Sequence, residues 1–239
     1  MKIKLNDNQK KLYVEELNKT KSEMDEIIKK DGFLKSRFKI LSLITKLRQI
    51  CIDPKIVYND YSGGSTKIDE VCNIITKIIS DKHKILIFTS YKKALEIVKE
   101  KLESQKIKCF VIDGSVSSKK RNELVTSFNN DDTDVFLIML KAGGTGLNLT
   151  GADVVVHLDL WWNPQAENQA TDRAHRIGQK NVVEVIKFIC KGTIEERILE
   201  LQEKKKILSE TLIEGDNRSS DLISTLDEEE FRRLLAYSE

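Results

Sequence analysis

Two arginines and a glutamine stand at helical spacing in the segment NQATDRAHRIGQK, which covers residues 168–180. Gln169, Arg173 and Arg176 recur at intervals of four and three residues, so they share one face if the segment is helical. The arginine guanidinium is permanently charged, and its planar fork pairs two phosphate oxygens at once. The segment therefore predicts a phosphate-binding surface. The alternative is a solvated helix face whose arginines pair with nearby carboxylates.

The residues around this segment predict a helix over residues 164–177. Asn163 suits the N-cap, Pro164 suits the first helical position, and Gly178 suits the end. A narrow apolar stripe at intervals of four, four and three would let this helix lie close against a sheet. The stripe comprises Ala166, Ala170, Ala174 and Ile177. One face of the helix is therefore expected to dock, and the neighbouring face to present the guanidinium groups.

Glycines concentrate in KAGGTGLNLTGAD, directly after the apolar run DVFLIML. They are Gly143, Gly144, Gly146 and Gly151. Loops that follow the strands of a parallel sheet bind ligands, and glycine lets backbone amides approach a phosphate closely. The alternative is a tight turn without a ligand. The loop matches neither the dinucleotide fingerprint, because Leu149 replaces its last glycine, nor a Walker A loop, because no G-K-[ST] occurs in the chain.

The amino-acid composition limits the partners and the cellular compartment that are expected for the chain. Lys and Arg total 40 against 38 Asp and Glu, a formal charge of +2, so any nucleic-acid footprint must be local. The four cysteines lack C-x-x-C spacing and stand among apolar residues, which is typical of buried thiols in a reducing compartment. No signal core and no run near the roughly twenty apolar residues of a membrane span occur. We expect a cytoplasmic chain without a membrane partner, and no metal site from its histidines.

Five apolar or β-branched runs alternate with helical stretches, the pattern of an α/β fold with an open, mainly parallel sheet. The runs are KILIFTS (84–90), KCFVID (108–113), DVFLIML (134–140), DVVVHLD (153–159) and VVEVIKFI (182–189). Helical patterns precede and follow them. The predicted organisation is a helical leader (1–64) packed on the lobe, a sheet core (65–192) and a C-terminal helical extension (193–239).

A long stretch of the chain resembles a known family. KAGGTGLNLTGADVVVHLDLWWNPQAENQATDRAHRIGQ resembles motifs five and six in the second RecA-like lobe of the Swi/Snf-type, helicase-like, DNA-translocating ATPases. KILIFTSYKKALEIV resembles motif four, and DGSVSSKKRNELVTSFN resembles the segment that follows it. LITKLRQICIDP and KGTIEERILELQEKK also fit, so the resemblance covers nearly the whole chain. It implies a RecA-like fold.

The resemblance also implies roles for individual residues. Arg173 and Arg176 match the motif-six arginines, which reach across to ATP on the first lobe and stabilise the transferring phosphoryl group. Gln169 should help to hold that interface, and Gly144 and Gly146 should approach the nucleotide. The residues expected to contact DNA are Thr89, Ser90, Arg121, Lys141, Asn148 and Trp162. Trp161 is expected to be the core residue of the tryptophan pair.

The chain lacks a P-loop lysine and a strand-borne acidic pair, since Asp69 and Glu70 are predicted to begin a helix. The resemblance thus implies that ATP and Mg²⁺ bind mainly to an N-terminal RecA-like lobe of the same protein, that double-stranded DNA is the partner, and that this chain alone does not hydrolyse ATP. A bacterial protein of this kind would be nucleoid-associated. The alternative is a non-catalytic module on the same fold that binds nucleic acid or protein.

Overall fold

A computed structural model describes residues 1–140, 147–175, 181–211 and 226–236. In chain order its strands and helices are β1 (Lys2–Ile3), α1 (Asp7–Asp31), α2 (Phe33–Ile52), α3 (Thr66–Ser80), β2 (Ile85–Thr89), α4 (Lys92–Ser104), β3 (Cys109–Ile112), α5 (Ser118–Asn130), β4 (Val135–Met139), β5 (Val154–His157), α6 (Pro164–Thr171), β6 (Glu184–Lys187), β7 (Ile189–Cys190), α7 (Ile194–Thr211) and α8 (Glu228–Leu234). A short 3₁₀ turn, Pro54–Ile56, follows α2.

The contacts divide the described residues into two compact units. The sheet unit comprises Met1 and the described parts of Lys67–Trp161 and Gln165–Phe188. The helical unit comprises Lys2–Thr66, Trp162–Pro164 and the described part of Ile189–Glu239. The division into a leader, a core and a C-terminal extension at residues 64 and 192 stays a prediction.

The sheet unit contains a five-stranded sheet of order β3-β4-β2-β5-β6 in which every neighbouring pair is parallel. Ile85 in the central strand stands opposite Val135 on one side and Val154 on the other. Each strand lies inside one of the five predicted apolar runs, because strands covered on both faces carry continuous apolar sequence. The predicted α/β fold is confirmed, and the carboxyl ends of all five strands meet at one edge of the sheet.

A fully buried lysine secures part of that edge. Lys67, at the beginning of α3, donates from Nζ to the carbonyl oxygens of Leu158 at 3.1 Å and Phe188 at 3.0 Å. These carbonyls follow β5 and β6, so one ammonium group joins the ends of two neighbouring strands. A buried charge is tolerated only when hydrogen bonds replace its hydration, which the two carbonyls supply.

Helix α6 is shorter than the sequence predicted, since it ends at Thr171 rather than near residue 177. The following amides of Arg173 and Ala174 donate to the carbonyls three residues back, as in a tightened last turn. The Arg173 carbonyl then accepts from the amide of Leu149, a partner outside the helix. This tertiary hydrogen bond takes the carbonyl out of the helical ladder. Arg176, Ile177 and Gly178 lie outside the described residues.

In the helical unit, α1 and α2 are joined through Gly32, whose φ of 75° favours glycine. Two buried hydrogen bonds tie α1 to distant segments. Gln9 donates to the carbonyl of Ile50 at 2.8 Å, and the Tyr13 hydroxyl accepts from the amide of Ile194 at 2.7 Å. Strand β1 pairs with β7 in parallel, so the first and last thirds of the chain are linked. Among the described helices, none is long and apolar enough to cross a membrane.

Candidate functional site

A buried carboxylate organises the carboxyl ends of β2 and β5. Asp159 accepts from the Thr89 hydroxyl at 2.6 Å, from the Ser90 amide at 2.9 Å and from the Ser90 hydroxyl at 2.6 Å. Asp159 is 1% exposed and Thr89 is fully buried. We call these three residues the Asp159 network. Because hydrogen bonds to a charged acceptor in a buried setting are strong, the network fixes the positions of Thr89 and Ser90.

The Asp159 network changes what is expected of two predicted DNA contacts. Thr89 is buried and already donates to Asp159, so its side chain positions the strand end and does not reach a phosphate. Ser90 is half-buried and remains a predicted contact. Asp159 was not among the predicted site residues. The available signal was an aspartate that directly follows the apolar run of β5 beside the Thr-Ser pair that ends β2.

The described part of the arginine segment, residues 168–175, is held against the sheet by small side chains and one backbone hydrogen bond. Ala170 and Ala174 are buried in the core cluster that also contains Leu149, as the predicted stripe requires. The Leu149 amide donates to the Arg173 carbonyl at 3.0 Å. Arg173 is half-buried and Gln169 is exposed, so both are available at the surface of the sheet unit.

The segment after β4 is clamped by Asn129 of α5. The Asn129 side chain donates to the Asn148 carbonyl at 2.8 Å and accepts from the Gly151 amide at 3.0 Å. A Cβ atom on Gly151 would lie 2.9 Å from Asn129 Oδ1 and 3.1 Å from its Cα, so this glycine permits the close approach. The clamp leaves the Asn148 side chain exposed. Lys141, Gly144 and Gly146 lie outside the described residues.

The two tryptophans exchange their expected positions. Trp162, predicted to contact DNA, is 8% exposed and belongs to the helical unit, where the Arg48 guanidinium lies 5.3 Å from its ring centroid. Trp161, expected in the core, is only half-buried. A guanidinium over the face of an indole is a favourable cation–π arrangement, which stabilises the buried position of Trp162. Direct DNA contact by Trp162 does not fit this geometry.

A second buried carboxylate supports the beginning of α6. Glu167 accepts from the Trp161 amide at 2.6 Å and forms an ion pair with Lys187 of β6. Its side chain is almost completely buried. Glu167 is one of the carboxylates that stand near the arginines in the sequence. It is instead committed to fixing the turn that precedes the arginine segment.

His157 links β5 to the end of α6. Its Nε2 lies 3.2 Å from the Thr171 hydroxyl, and its ring stacks on Phe88 with the centroids 5.7 Å apart. Burial and, to a lesser extent, the charge of nearby Lys187 together lower the pKa of His157 to about 4. The imidazole is therefore neutral near pH 7 and belongs to the core that positions the site.

Arg121 of α5 is half-buried, and its guanidinium donates to the Val116 carbonyl at 3.3 Å in the loop that precedes the helix. The side chain thus supports the loop after β3 as well as facing solvent.

In the part of the chain that the structure describes, no group of three or more His, Cys, Asp or Glu residues stands together as a metal site would require.

The sequence is similar to a known protein family and to curated proteins of the helicase type. The helicase conserved C-terminal domain matches residues 66–178. The chain is 42% identical over 234 residues to an uncharacterized ATP-dependent helicase of Mycoplasma pneumoniae, covering 97% of this chain and 22% of that protein. It is 40% identical over 207 residues to the putative ATP-dependent helicase/translocase YwqA of Bacillus subtilis, covering 82% of this chain and 22% of that protein.

The fold is also similar to solved structures of SWI2/SNF2 ATPases. The Sulfolobus solfataricus SWI2/SNF2 ATPase C-terminal domain has a TM-score of 0.78 and 28% identity, with 100% of this chain and 97% of that chain covered. The Sulfolobus solfataricus SWI2/SNF2 ATPase core in complex with dsDNA has a TM-score of 0.79 and 30% identity, with 100% of this chain and 50% of that chain covered. The chain belongs to the Swi/Snf-type helicase-like ATPases and forms their C-terminal RecA-like lobe. It spans about a fifth of the length of the curated relatives it matches.

Proposed function

We propose that the chain is the second motor lobe of an ATP-dependent translocase that acts on double-stranded DNA. The observation that carries this proposal is the hydrogen bond from the Leu149 amide to the Arg173 carbonyl. It joins the segment after β4 to the arginine segment, so nucleotide-facing and DNA-facing residues would move as one body. Similarity to the SWI2/SNF2 ATPase core in complex with dsDNA supports DNA as the partner.

Arg173 and Arg176 then act as arginine fingers. Their guanidinium groups bind phosphate oxygens of an ATP that is held, with Mg²⁺, mainly by an N-terminal RecA-like lobe of the same protein. Gln169 supports that contact, and the amides at Gly144 and Gly146 approach the phosphates. The exposure of Gln169 and the half-burial of Arg173 fit this role, because both remain reachable from solvent. When bound, ATP supplies the free energy for movement by its hydrolysis.

The DNA contacts in this proposal are phosphate contacts. Ser90, Arg121, Lys141 and Asn148 bind the backbone, and Thr89 supports Ser90 from inside the sheet unit. Contacts of this kind position a duplex without reading its sequence, and they weaken as salt rises. In a bacterial cell we therefore place the protein in the cytoplasm, associated with the nucleoid.

The chain has no Walker A loop of its own, so ATP hydrolysis should require the first lobe. The test measures ATP turnover by the chain alone and by the chain mixed with the separately expressed first lobe, each with and without duplex DNA. We expect turnover only in the mixture and faster turnover with DNA. Arg173→Ala should lower that turnover by about 10³-fold, the usual scale for an arginine finger.

Arg233→Ala is the matched control, because Arg233 is a surface arginine that pairs with Glu229 on α8. It should leave turnover unchanged. If Arg173→Ala and Arg233→Ala both hydrolyse ATP at the unmodified rate, the arginine segment is a solvated face. The non-catalytic binding module would then describe the chain better.

A further inference from the structure

The helical unit contains a cavity of about 610 Å³ that includes none of the residues assigned above to ATP or DNA. Its walls come from β1 and the turn after it, from the first turns of α1, and from the turn between β7 and α7. The charged residues of its lining are Lys2, Lys4, Asp7, Lys10, Lys191 and Glu196. We call this feature the lysine cavity.

The lysine cavity concentrates positive charge. Four of its ten lining residues are lysines and two are carboxylates, which leaves a net charge of +2. The whole chain of 239 residues carries the same formal net charge. The ten lining residues therefore carry as much net positive charge as the whole chain.

Among the described residues, only one of the four lysines forms an ion pair. Lys2 pairs with Glu196 at 2.6 Å, and Glu196 also accepts from the Gly192 amide at 3.0 Å. Among the described residues, no carboxylate lies within ion-pair distance of Lys4, Lys10 or Lys191. Three exposed lysines thus line one open cavity, and Asp7 is the one remaining carboxylate in its lining to offset them.

Like charges gathered around a cavity repel one another, and a bound polyanion relieves that repulsion. Lysine offers a compact charge on a flexible stem, which suits phosphate groups without fixing a particular orientation. The only aromatic side chain in the lining is Tyr13, whose ring is buried and whose hydroxyl already accepts from Ile194. The cavity therefore offers charge to a ligand and no exposed ring on which a base could stack.

We infer that the lysine cavity binds consecutive phosphate groups through Lys4, Lys10 and Lys191. Such groups come either from a free polyphosphate or from one strand of a nucleic acid. The inference does not rest on the proposed translocase function, because it uses no residue of the arginine segment or of the Asp159 network.

The experiment titrates sodium tripolyphosphate into the chain at low salt and measures binding by calorimetry. The test variant combines Lys4→Gln, Lys10→Gln and Lys191→Gln. The matched control combines Lys29→Gln, Lys77→Gln and Lys108→Gln, which removes the same charge from exposed lysines elsewhere. Exposed positions tolerate such changes, so thermal unfolding should be the same for both variants.

We expect saturable binding that weakens by at least roughly tenfold in the test variant and stays unchanged in the control variant. Arg173→Ala should also retain the binding, which separates this cavity from the proposed ATP contact. Absence of saturable binding by the unmodified chain, or an equal loss in the test and control variants, overturns the inference.

A competition arm identifies the source of the phosphates. Single-stranded and duplex oligonucleotides are added to the complex of the chain with tripolyphosphate. Displacement that is lost in the test variant assigns the cavity to a nucleic-acid strand. Tripolyphosphate binding that both oligonucleotides leave intact assigns it to a free polyphosphate.

Discussion

The Asp159 network and the arginine segment both lie in the sheet unit, yet their functional side chains are held in different ways. In the network, Thr89, Ser90 and Asp159 are joined by three hydrogen bonds between 2.6 and 2.9 Å, and the acceptor is buried. In the arginine segment, Gln169 is exposed and Arg173 is half-buried. Small buried alanines and one backbone hydrogen bond fix that segment.

The difference indicates that the Asp159 network positions the strand ends, whereas the arginine segment presents side chains for contact with a ligand. A buried polar network contributes stability and holds the ends of β2 and β5 in one arrangement, whereas Gln169 and Arg173 are less buried and stand where a ligand can meet them. Substitutions in the network should therefore act mainly on the free energy of unfolding. Substitutions of exposed side chains in the arginine segment should act mainly on turnover.

Asp159→Ala should have the largest effect on stability. The change leaves two hydroxyls and one amide without their acceptor, and each buried donor that loses its partner costs about 1–3 kcal/mol. We expect the free energy of unfolding to fall by about 3 kcal/mol or more, measured by urea denaturation at pH 7.

Ser90→Ala provides the graded control for this prediction, because it removes one of the three hydrogen bonds and keeps the carboxylate satisfied by Thr89 and the backbone amide. It should cost about 1 kcal/mol. Equal, small losses for Asp159→Ala and Ser90→Ala would contradict the view that the carboxylate organises the network.

Acid should weaken the sheet unit through His157. Its pKa is about 4 in the folded chain and 6.5 in the unfolded chain, so between these values only the unfolded chain binds the proton. The stabilising contribution is complete above pH 6.5 and is lost as pH falls to 4, by up to about 3 kcal/mol. Urea denaturation at pH 7, 5.5 and 4.5 measures this loss.

His157→Gln removes the titrating group while keeping a polar side chain near Thr171. The difference in stability between pH 7 and pH 4.5 should therefore be smaller in His157→Gln than in the unmodified chain. A pH dependence that is identical in both proteins would show that other groups carry the acid sensitivity.

Arg173→Ala should have the smallest effect on stability, about 1 kcal/mol or less, because Arg173 is only half-buried and its backbone hydrogen bond to Leu149 is retained. Urea denaturation of the variant used for ATP turnover checks this value. A loss above 2 kcal/mol would mean that the Arg173 side chain is a structural element, and the contrast with the Asp159 network would then disappear.

The structural features that depend on a local sequence pattern were predicted correctly. The five strands lie inside their apolar runs because strands covered on both faces need continuous apolar sequence. The capping of α8 by Asp227 and Glu230 is likewise a local signal. The family resemblance rested on long colinear motifs, and it is confirmed by relatives that cover almost the whole chain.

Features that depend on distant partners were not predicted. The end of α6 at Thr171 involves the amide of Leu149, more than twenty residues earlier in the chain. The burial of Trp162 instead of its neighbour involves Arg48, which no pattern in the sequence links to the tryptophan pair. The roles of individual residues toward ATP and DNA stay predictions, since they concern ligands and a partner lobe.

The pairing of β1 with β7 also has a consequence for how the chain is made. Lys2 stands opposite Ile189, so the partners of this ladder leave the ribosome 187 residues apart. At a usual synthesis rate of about 5–20 residues per second, β1 waits roughly ten to forty seconds for its partner. The strands of the sheet unit, residues 85–187, are all synthesised within that interval. The helical unit is therefore completed last, and β1 has no partner strand in this ladder until β7 is made.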